Sequence, residues 1–479
     1  MTHPSAADAQ PAHDAPPVPR RWWVLVLLCL AQFMVILDVT VVNVALPVIA
    51  EELHLGRAGL TWVVTAYTLC FGGLMLLGGR LADTLGRRRI FLAGLVVFTL
   101  ASLVSGLAVN APLLVTARAA QGVGAALLSP SALSIVTTTF HGPDRNRALG
   151  VWAAIGGAGA AVGVLLGGVF TAGPGWEWVF FINVPVGAVV AIALPPLIRN
   201  LPAPRSARVD VPGAVVAIAG VAAVIYGLVR AGDTGWADPW TLIALAAGLV
   251  LLGVFAAIER AVPEPLVRLT KSARRPVVAG NLVMLVASGL LLSDFFLASQ
   301  YLQHVLRLGA LRTGLLFLPV ALVIGLGTHL GVRVVGRFGG RPAAAAGFAL
   351  AAVGAALLTR LPAEGNAVLT LLPGFAVSGL GLGAAFVAAT TTAMAYVDPH
   401  EAGMTSGLIN TGHELGASLG IAFVSTLAAS SLGNGAGGAG GFGTAFTGAA
   451  IAAVAMAVVV LWLVPAGRPP AIDGPVFAH

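Results

Sequence analysis

The sequence predicts an all-α polytopic membrane protein, with two six-helix bundles, two further helices inserted between them and fourteen transmembrane helices in all. Three observations carry that expectation. Of 479 residues, 58% are hydrophobic and 9% charged, with a mean hydropathy of +0.94, whereas soluble domains are about a quarter charged. A bilayer core of about 30 Å needs roughly 20 mostly apolar helical residues, and fourteen such runs can be read: 22–46, 60–79, 89–109, 113–137, 147–172, 178–198, 212–231, 239–259, 276–302, 312–336, 342–361, 366–396, 404–431 and 444–465. They are continuous rather than alternating, which argues against a β-barrel. Finally, the basic residues sort by loop. With the N-terminus in the cytoplasm, 20 of the 26 Lys and Arg fall in cytoplasmic segments. Five (Arg57, Arg230, Arg307, Arg312, Arg360) fall in opposite loops, and Arg118 lies within a span. This positive-inside pattern places both termini in the cytoplasm and supports an even number of spans. A net charge of +7 spread in this way, with no basic amphipathic face, does not point to nucleic acid.

The elements follow in order. Residues 1–21, rich in Pro and Ala, read as a disordered cytoplasmic tail. Arg20, Arg21, Trp22 and Trp23 resemble the start of a secretory signal, but the apolar run behind them is too long, carries Asp38 and lacks a small-residue cleavage site. It is expected to remain as the first helix. Spans one to six form an N-terminal bundle over 22–198. Residues 199–275 hold a Pro/Arg-rich linker, the inserted pair and a charged linker; 276–466 form the C-terminal bundle, and 467–479 a second cytoplasmic tail. An internal echo supports the division: GGRLADTLGRR (Gly78–Arg88) and GVRVVGRFGGR (Gly331–Arg341) share Gly, Arg, Gly and Arg, each pair 253 residues apart. Small-residue stripes mark close helix contacts: Gly156, Gly159, Gly163 and Gly167 in the fifth span, Gly412, Gly416 and Gly420 in the thirteenth. Cys29 and Cys70 both lie in spans, so neither a disulfide nor a metal site is implied.

Four stretches carry a family resemblance that covers nearly the whole chain. LDVTVVNVALP (Leu37–Pro47) resembles a first-helix signature, and GGRLADTLGRRR (Gly78–Arg89) matches the loop motif GxLaDrxGrkxxl. RAAQGVGAALLSP (Arg118–Pro130) is similar to a fourth-helix motif with a buried arginine, and FFINVPVG (Phe180–Gly187) belongs with them. Together they resemble the fourteen-helix drug:proton antiporter branch of the major facilitator superfamily. There are departures. The fifth-helix motif GPxxGPxxGG is here GAAVGVLLGG (Gly159–Gly168), with Ala160 and Val164 for the prolines; Glu177 replaces a basic residue, and His413–Glu414 replace Arg-Gln. The resemblance implies that Gly79, Arg80, Asp83, Gly86, Arg87 and Arg88 form a conformational-switch loop. It also implies that Gly159, Gly163, Gly167 and Gly168 pack helices, and that Asp38 is the first candidate partner for Arg118. The second loop copy has Gly336 where the first has Asp83.

Of the 19 acidic residues, three lie well inside spans: Asp38, Asp294 and Glu414. A charge at a helix centre costs about 2.5–3.5 kcal/mol on insertion scales, so these acids are expected to face the bundle interior, suited to attract a cation or exchange a proton. Helical spacing puts Asp38 with Val42 and Ala45, and Thr40, Asn43 and Pro47 opposite, so the first helix is expected to be enclosed by other helices or a cavity. In the ninth span Asp294, Ala298 and Tyr301 share a face, and an aromatic ring beside a carboxylate suits lipophilic cations. Glu414 and Asn410 lie opposite the Gly412 stripe, towards a cavity. Burial favours a neutral carboxyl and a facing guanidinium an ionised one; which prevails at Asp38 is open. His413 titrates near neutrality by type but equally serves as a packed hydrogen-bond partner.

The only lysine, Lys271, follows no phosphate-loop glycines, and GLGLG (Gly379–Gly383) lies within a span, so ATP is not expected to drive this polypeptide. The expected function is proton-coupled export of lipophilic drugs or antibiotics, the alternative being transport of an endogenous metabolite, siderophore or lipid precursor. No clustered nucleophile or acid/base set marks an enzyme. No cofactor or metal is expected. The expected partners are a cationic or zwitterionic lipophile, protons and membrane lipid, and the chain is expected to act as a monomer in the cell membrane.

Overall fold

A computed structural model of the chain describes residues 18–140, 142–198, 210–262, 265, 274–362, 366–395, 397, 402–432 and 440–467. The predicted tails (but for residues 18–21 and 467), most of both linkers and the surroundings of Gly156 lie outside the described residues. The helices are α1 (Val18–Glu52), α2 (Arg57–Leu85), α3 (Arg87–Gly106), α4 (Ala111–Thr139), α5 (Gly142–Ala172) and α6 (Trp178–Ala193). Then come the inserted pair α7 (Val211–Thr234) and α8 (Pro239–Ala261). The last six are α9 (Arg275–Gln300), α10 (Ala310–Phe338), α11 (Gly340–Leu357), α12 (Leu372–Met394), α13 (Ala402–Leu427) and α14 (Gly440–Leu463). Among the described residues eleven helices are long and apolar enough to cross a membrane, α5, α6 and α13 not being counted among them. The architecture is all-helical, as expected, because in lipid a helix satisfies its backbone groups within the segment.

The helix ends follow from local chemistry. Asn110, Asp210 and Asp238 cap α4, α7 and α8 by accepting the backbone N–H of Leu113 (2.9 Å), Gly213 (2.8 Å) and Thr241 (3.0 Å). Each is followed within two residues by a proline, which fits the first turn because no N–H is needed there. Gly86, at φ 101°, turns the chain from α2 into α3, and Gly339, at φ 92°, does the same between α10 and α11.

These two glycines are 253 residues apart, and the backbone repeats at that interval elsewhere. His54 (φ 51°) and Arg307 (φ 54°) are non-glycine residues in the left-handed region, each two residues before a helix-capping glycine, Gly56 and Gly309. Arg88 donates to the carbonyl of Ile198 (3.0 Å) and Arg341 to that of Val464 (2.7 Å). Packing repeats too. In the first bundle α4 lies against α2 and α3, and α1 against α5; in the second α12 lies against α10 and α11, and α9 against α13. Two seams join the bundles, α2 with α13 and α5 with α10. The inserted pair packs on itself and, mainly through α7, over the α2–α13 seam.

The cores give the molecule two unlike ends. At the near end, where α1 starts and α2 finishes, each bundle has its own apolar cluster: one built on Leu28, Phe91 and Phe98, the other on Val283, Phe348 and Ala389. At the far end a single cluster spans both bundles, from Val44, Ile49 and Val63 to Phe296, Phe317 and Phe375. Large apolar side chains such as Leu249, Ile451 and Trp462 are exposed around the outside, the face a bilayer covers.

Candidate functional site

Around its polar positions the first helix is enclosed: Asp38, Val42, Asn43 and Ala45 are all buried, while Trp23 and Val26 near its start are exposed. Asp38 is 0% exposed and Arg118, one helix-bundle layer away on α4, is 1% exposed. They form an ion pair through Arg118 Nη1 and Asp38 Oδ2. The sequence singled out this pair, but not the residues that complete it. Gln121, one turn beyond Arg118, accepts from Arg118 Nη1 (2.9 Å) and donates to Asp38 Oδ1 (3.0 Å) and Ser102 Oγ (2.7 Å). Asn183, at the start of the second part of α6, donates to Asp38 Oδ1 (3.1 Å). Arg118 Nε donates to the carbonyl of Val63 (3.1 Å), and the guanidinium lies 4.4 Å from the centroid of the Tyr67 ring. Asp38 therefore meets three donors and Arg118 three acceptors and a ring face. Charges taken out of water are tolerated when paired and otherwise hydrogen-bonded, and this cluster meets that condition.

Asp294 has a different environment. It is 1% exposed, and the hydroxyl of Ser378 on α12 donates to its Oδ2 at 2.6 Å. Among the described residues no basic side chain stands within ion-pair distance of it. Tyr301 shares its helix face but not its surroundings: two turns, roughly 10.5 Å, separate them along the axis. Tyr301 donates to the carbonyl of Pro362 (2.6 Å) and packs edge-on against Phe442. The expected carboxylate-plus-ring pair is thus not assembled.

On α13 the Gly412, Gly416 and Gly420 stripe packs against Asn281, Leu285 and Gly289 of α9, as anticipated. The backbone at Glu414 packs against Gly72 of α2. The Glu414 side chain is partly open, and its Oε1 lies 3.3 Å from Nδ1 of His413, which sits beside Phe386. Asn410 is half-buried on the same helix. Asn43 is buried; its side-chain amide donates to the carbonyl of Val39 (2.9 Å), and its backbone carbonyl accepts from Ser299 Oγ of α9 (2.7 Å), a contact between bundles.

The loop motif sits at the near end. Asp83 pairs with Arg87 across the Gly86 turn at 3.4 Å, joining α2 to α3, while Arg80 donates to the carbonyl of Pro265 (3.0 Å) and Arg88 to that of Ile198. Gly79 is in ordinary contact with Pro130. In α5, Gly159, Gly163 and Gly167 lie against Ile36, Thr40 and Val41 of α1, and Gly168 against Leu311 and Ala310 of α10. Among the described residues no group of three His, Cys, Asp or Glu is placed to hold a metal ion.

Repeated helix bundles around buried charges define a polytopic membrane transporter. The chain belongs to the Major Facilitator Superfamily, whose model matches residues 28–421. It is 40% identical over 431 residues to the puromycin resistance protein pur8 of Streptomyces alboniger, covering 89% of this chain and 86% of that one. It is 39% identical to the cephamycin export protein CmcT of Amycolatopsis lactamdurans, covering 85% of each. A solved bacterial homologue of the human lysosomal transporter Spinster, in an inward-facing and unoccupied conformation, shares its fold at TM-score 0.61 and 17% identity, over 94% of this chain and 97% of the other.

Proposed function

We propose that this protein exports lipophilic antibiotics across the cytoplasmic membrane in exchange for protons, by alternating access. The observation that carries the reading is the contrast between the ends: one shared core at the far end, two separate cores at the near end. The positive-inside pattern assigns the near end and both termini to the cytoplasm, so this state is the inward-facing one. Resistance and export names among the relatives support an antibiotic as cargo.

The acids divide the work. Asp38 already meets donors from Arg118, Gln121 and Asn183, and a proton added to it would face hydrogens rather than acceptors. It holds the N-terminal bundle together. Asp294, bonded to the Ser378 hydroxyl and with no cation beside it among the described residues, is the proton-exchanging group. Glu414, partly open beside His413 and Phe386, attracts a cationic or zwitterionic lipophile from the inward side. Binding of cargo and proton must favour opposite states or exclude one another for exchange to be coupled.

Everted membrane vesicles test the reading. Collapse of an imposed proton gradient should abolish accumulation of puromycin or of a lipophilic cationic dye. Accumulation that continues unchanged would overturn the coupling.

A further inference from the structure

We propose that the inserted pair is a latch on the transport cycle: α7 ties α2 to α13 at the far end and so sets how readily that end opens. The proposal rests on the alternating-access reading, and concerns a part of the chain which that reading leaves without a role.

The junction centres on Arg57, the first residue of α2. By sequence it belongs to an outer loop, yet it is 4% exposed. Its guanidinium reaches all three elements. Toward α7, Nη2 donates to the carbonyl of Val229 and pairs with Asp233, whose Oδ1 also accepts from Nε at 3.1 Å. Toward α13, Nη1 donates to Ser425 Oγ at 3.4 Å. Room for the group comes from Gly232: a Cβ there would sit 2.8 Å from the guanidinium carbon. A second strand of the junction runs from α13 to α7 without Arg57, as Thr426 donates to the carbonyl of Leu228 at 2.5 Å. Directly between the bundles, the hydroxyls of Thr61 and Ser425 lie 2.6 Å apart, and those of Thr68 and Ser418 2.5 Å apart.

Among the described residues no side-chain hydrogen bond or ion pair joins α5 to α10 at the other seam. At the repeat interval of 253 residues, Ala310 stands in place of Arg57 and Gly314 in place of Thr61. Ala310 packs at Gly168, and Gly314 at the carbonyl of Val164. The fold therefore closes one seam by apolar packing and the other by a polar junction in which α7 takes part in three of the six pairings. Outward opening separates α2 from α13, and α7, bonded to both, must release one of them first.

The test reads the far end directly. Gly56 and Gly309 cap α2 and α10, and a Cβ at either meets nothing within 4 Å, so both accept cysteine for spin labels once Cys29 and Cys70 are replaced by alanine. Full-length protein in lipid nanodiscs is compared as parent, Asp233→Ala, Thr426→Val and Asp233→Glu. Asp233 is 47% exposed, so its removal leaves the core alone. The expected result is a ratio of long to short label distances raised about three- to fivefold by Asp233→Ala and by Thr426→Val, the scale of one partly exposed ion pair, with Asp233→Glu close to the parent. Unchanged distance distributions in Asp233→Ala and Thr426→Val overturn the latch, as does a fall in thermal stability with the ratio unaltered. Drug export is not part of this readout. If the parent exports no drug, the proposed function fails, while the distances still decide the latch.

Discussion

Asn183 donates to the same oxygen of Asp38 that Gln121 reaches, at 3.1 and 3.0 Å, although Asn183 lies 145 residues further along the chain. The carboxylate is thereby held from α4 and α6 at once, and α1 is fixed against both. A residue in such a setting is hard to remove on its own.

Asp38→Asn should leave Arg118 buried without its counter-charge, at a cost of about 3–5 kcal/mol. Thermal unfolding in detergent measures it. Asp38→Asn combined with Arg118→Met should restore most of the stability, since a buried pair replaced by apolar groups is often neutral. Restored stability without restored transport would separate the scaffold role from the functional one.

Asp294→Asn is isosteric, and its amide oxygen still accepts the Ser378 hydroxyl. The fold and substrate binding should persist, with proton-driven accumulation lost. Vesicle uptake beside an equilibrium binding assay checks this; accumulation at the parent level would remove Asp294 from the proton path.

Gly163→Ala should cost about 1–3 kcal/mol, because the new methyl would overlap Thr40 on α1. Gly325→Ala, in α10 with nothing within 4 Å of the added carbon, should be neutral or stabilising by about 0.5–1 kcal/mol. Paired melting curves decide, and equal losses at both positions would contradict the packing described.

Asp238, outside the membrane spans, is held below the usual aspartate range. The Arg230 hydrogen bond is the largest cause, opposed by desolvation and aided by the N–H of Thr241. A carboxyl lowered in the folded state contributes stability above its unfolded value, about 3.9, and loses it as pH falls through the folded value. Fluorescence of the exposed Trp236 and Trp240 should report loosening of the α7–α8 turn below about pH 4. Asp238→Asn should remove that acid transition.

Much of this was legible in the sequence because lipid imposes simple rules. Long apolar runs, sorted charges and a 253-residue echo were enough for the two bundles and the inserted pair, and three acids in spans were enough to find Asp38 and Asp294. Gln121 and Asn183 do not stand out in the sequence, although both lie in the motifs RAAQGVG and FFINVPVG. A neutral amide costs little to bury and so raises no alarm by composition; its partners come from distant helices. Tyr301 failed for the opposite reason. A helical wheel keeps angle and discards height, and the ring belongs to the far-end core near Phe442. Arg57 reads as a loop residue because the apolar run begins after it; the inserted pair and α13, packed alongside, take it out of water.

Unlike seams also mean that the two bundles do not part evenly. Hydroxyl bonds broken between Thr61 and Ser425 are replaced by bonds to entering water, so that edge wets at little cost. Parting Gly168 from Ala310 exposes closely packed apolar atoms and backbone to water, with no hydroxyl pair across the contact to exchange for water. The dry edge then acts as the fulcrum and the wet edge as the mouth, so the protein opens outward as a door on one jamb rather than as a pair of shutters.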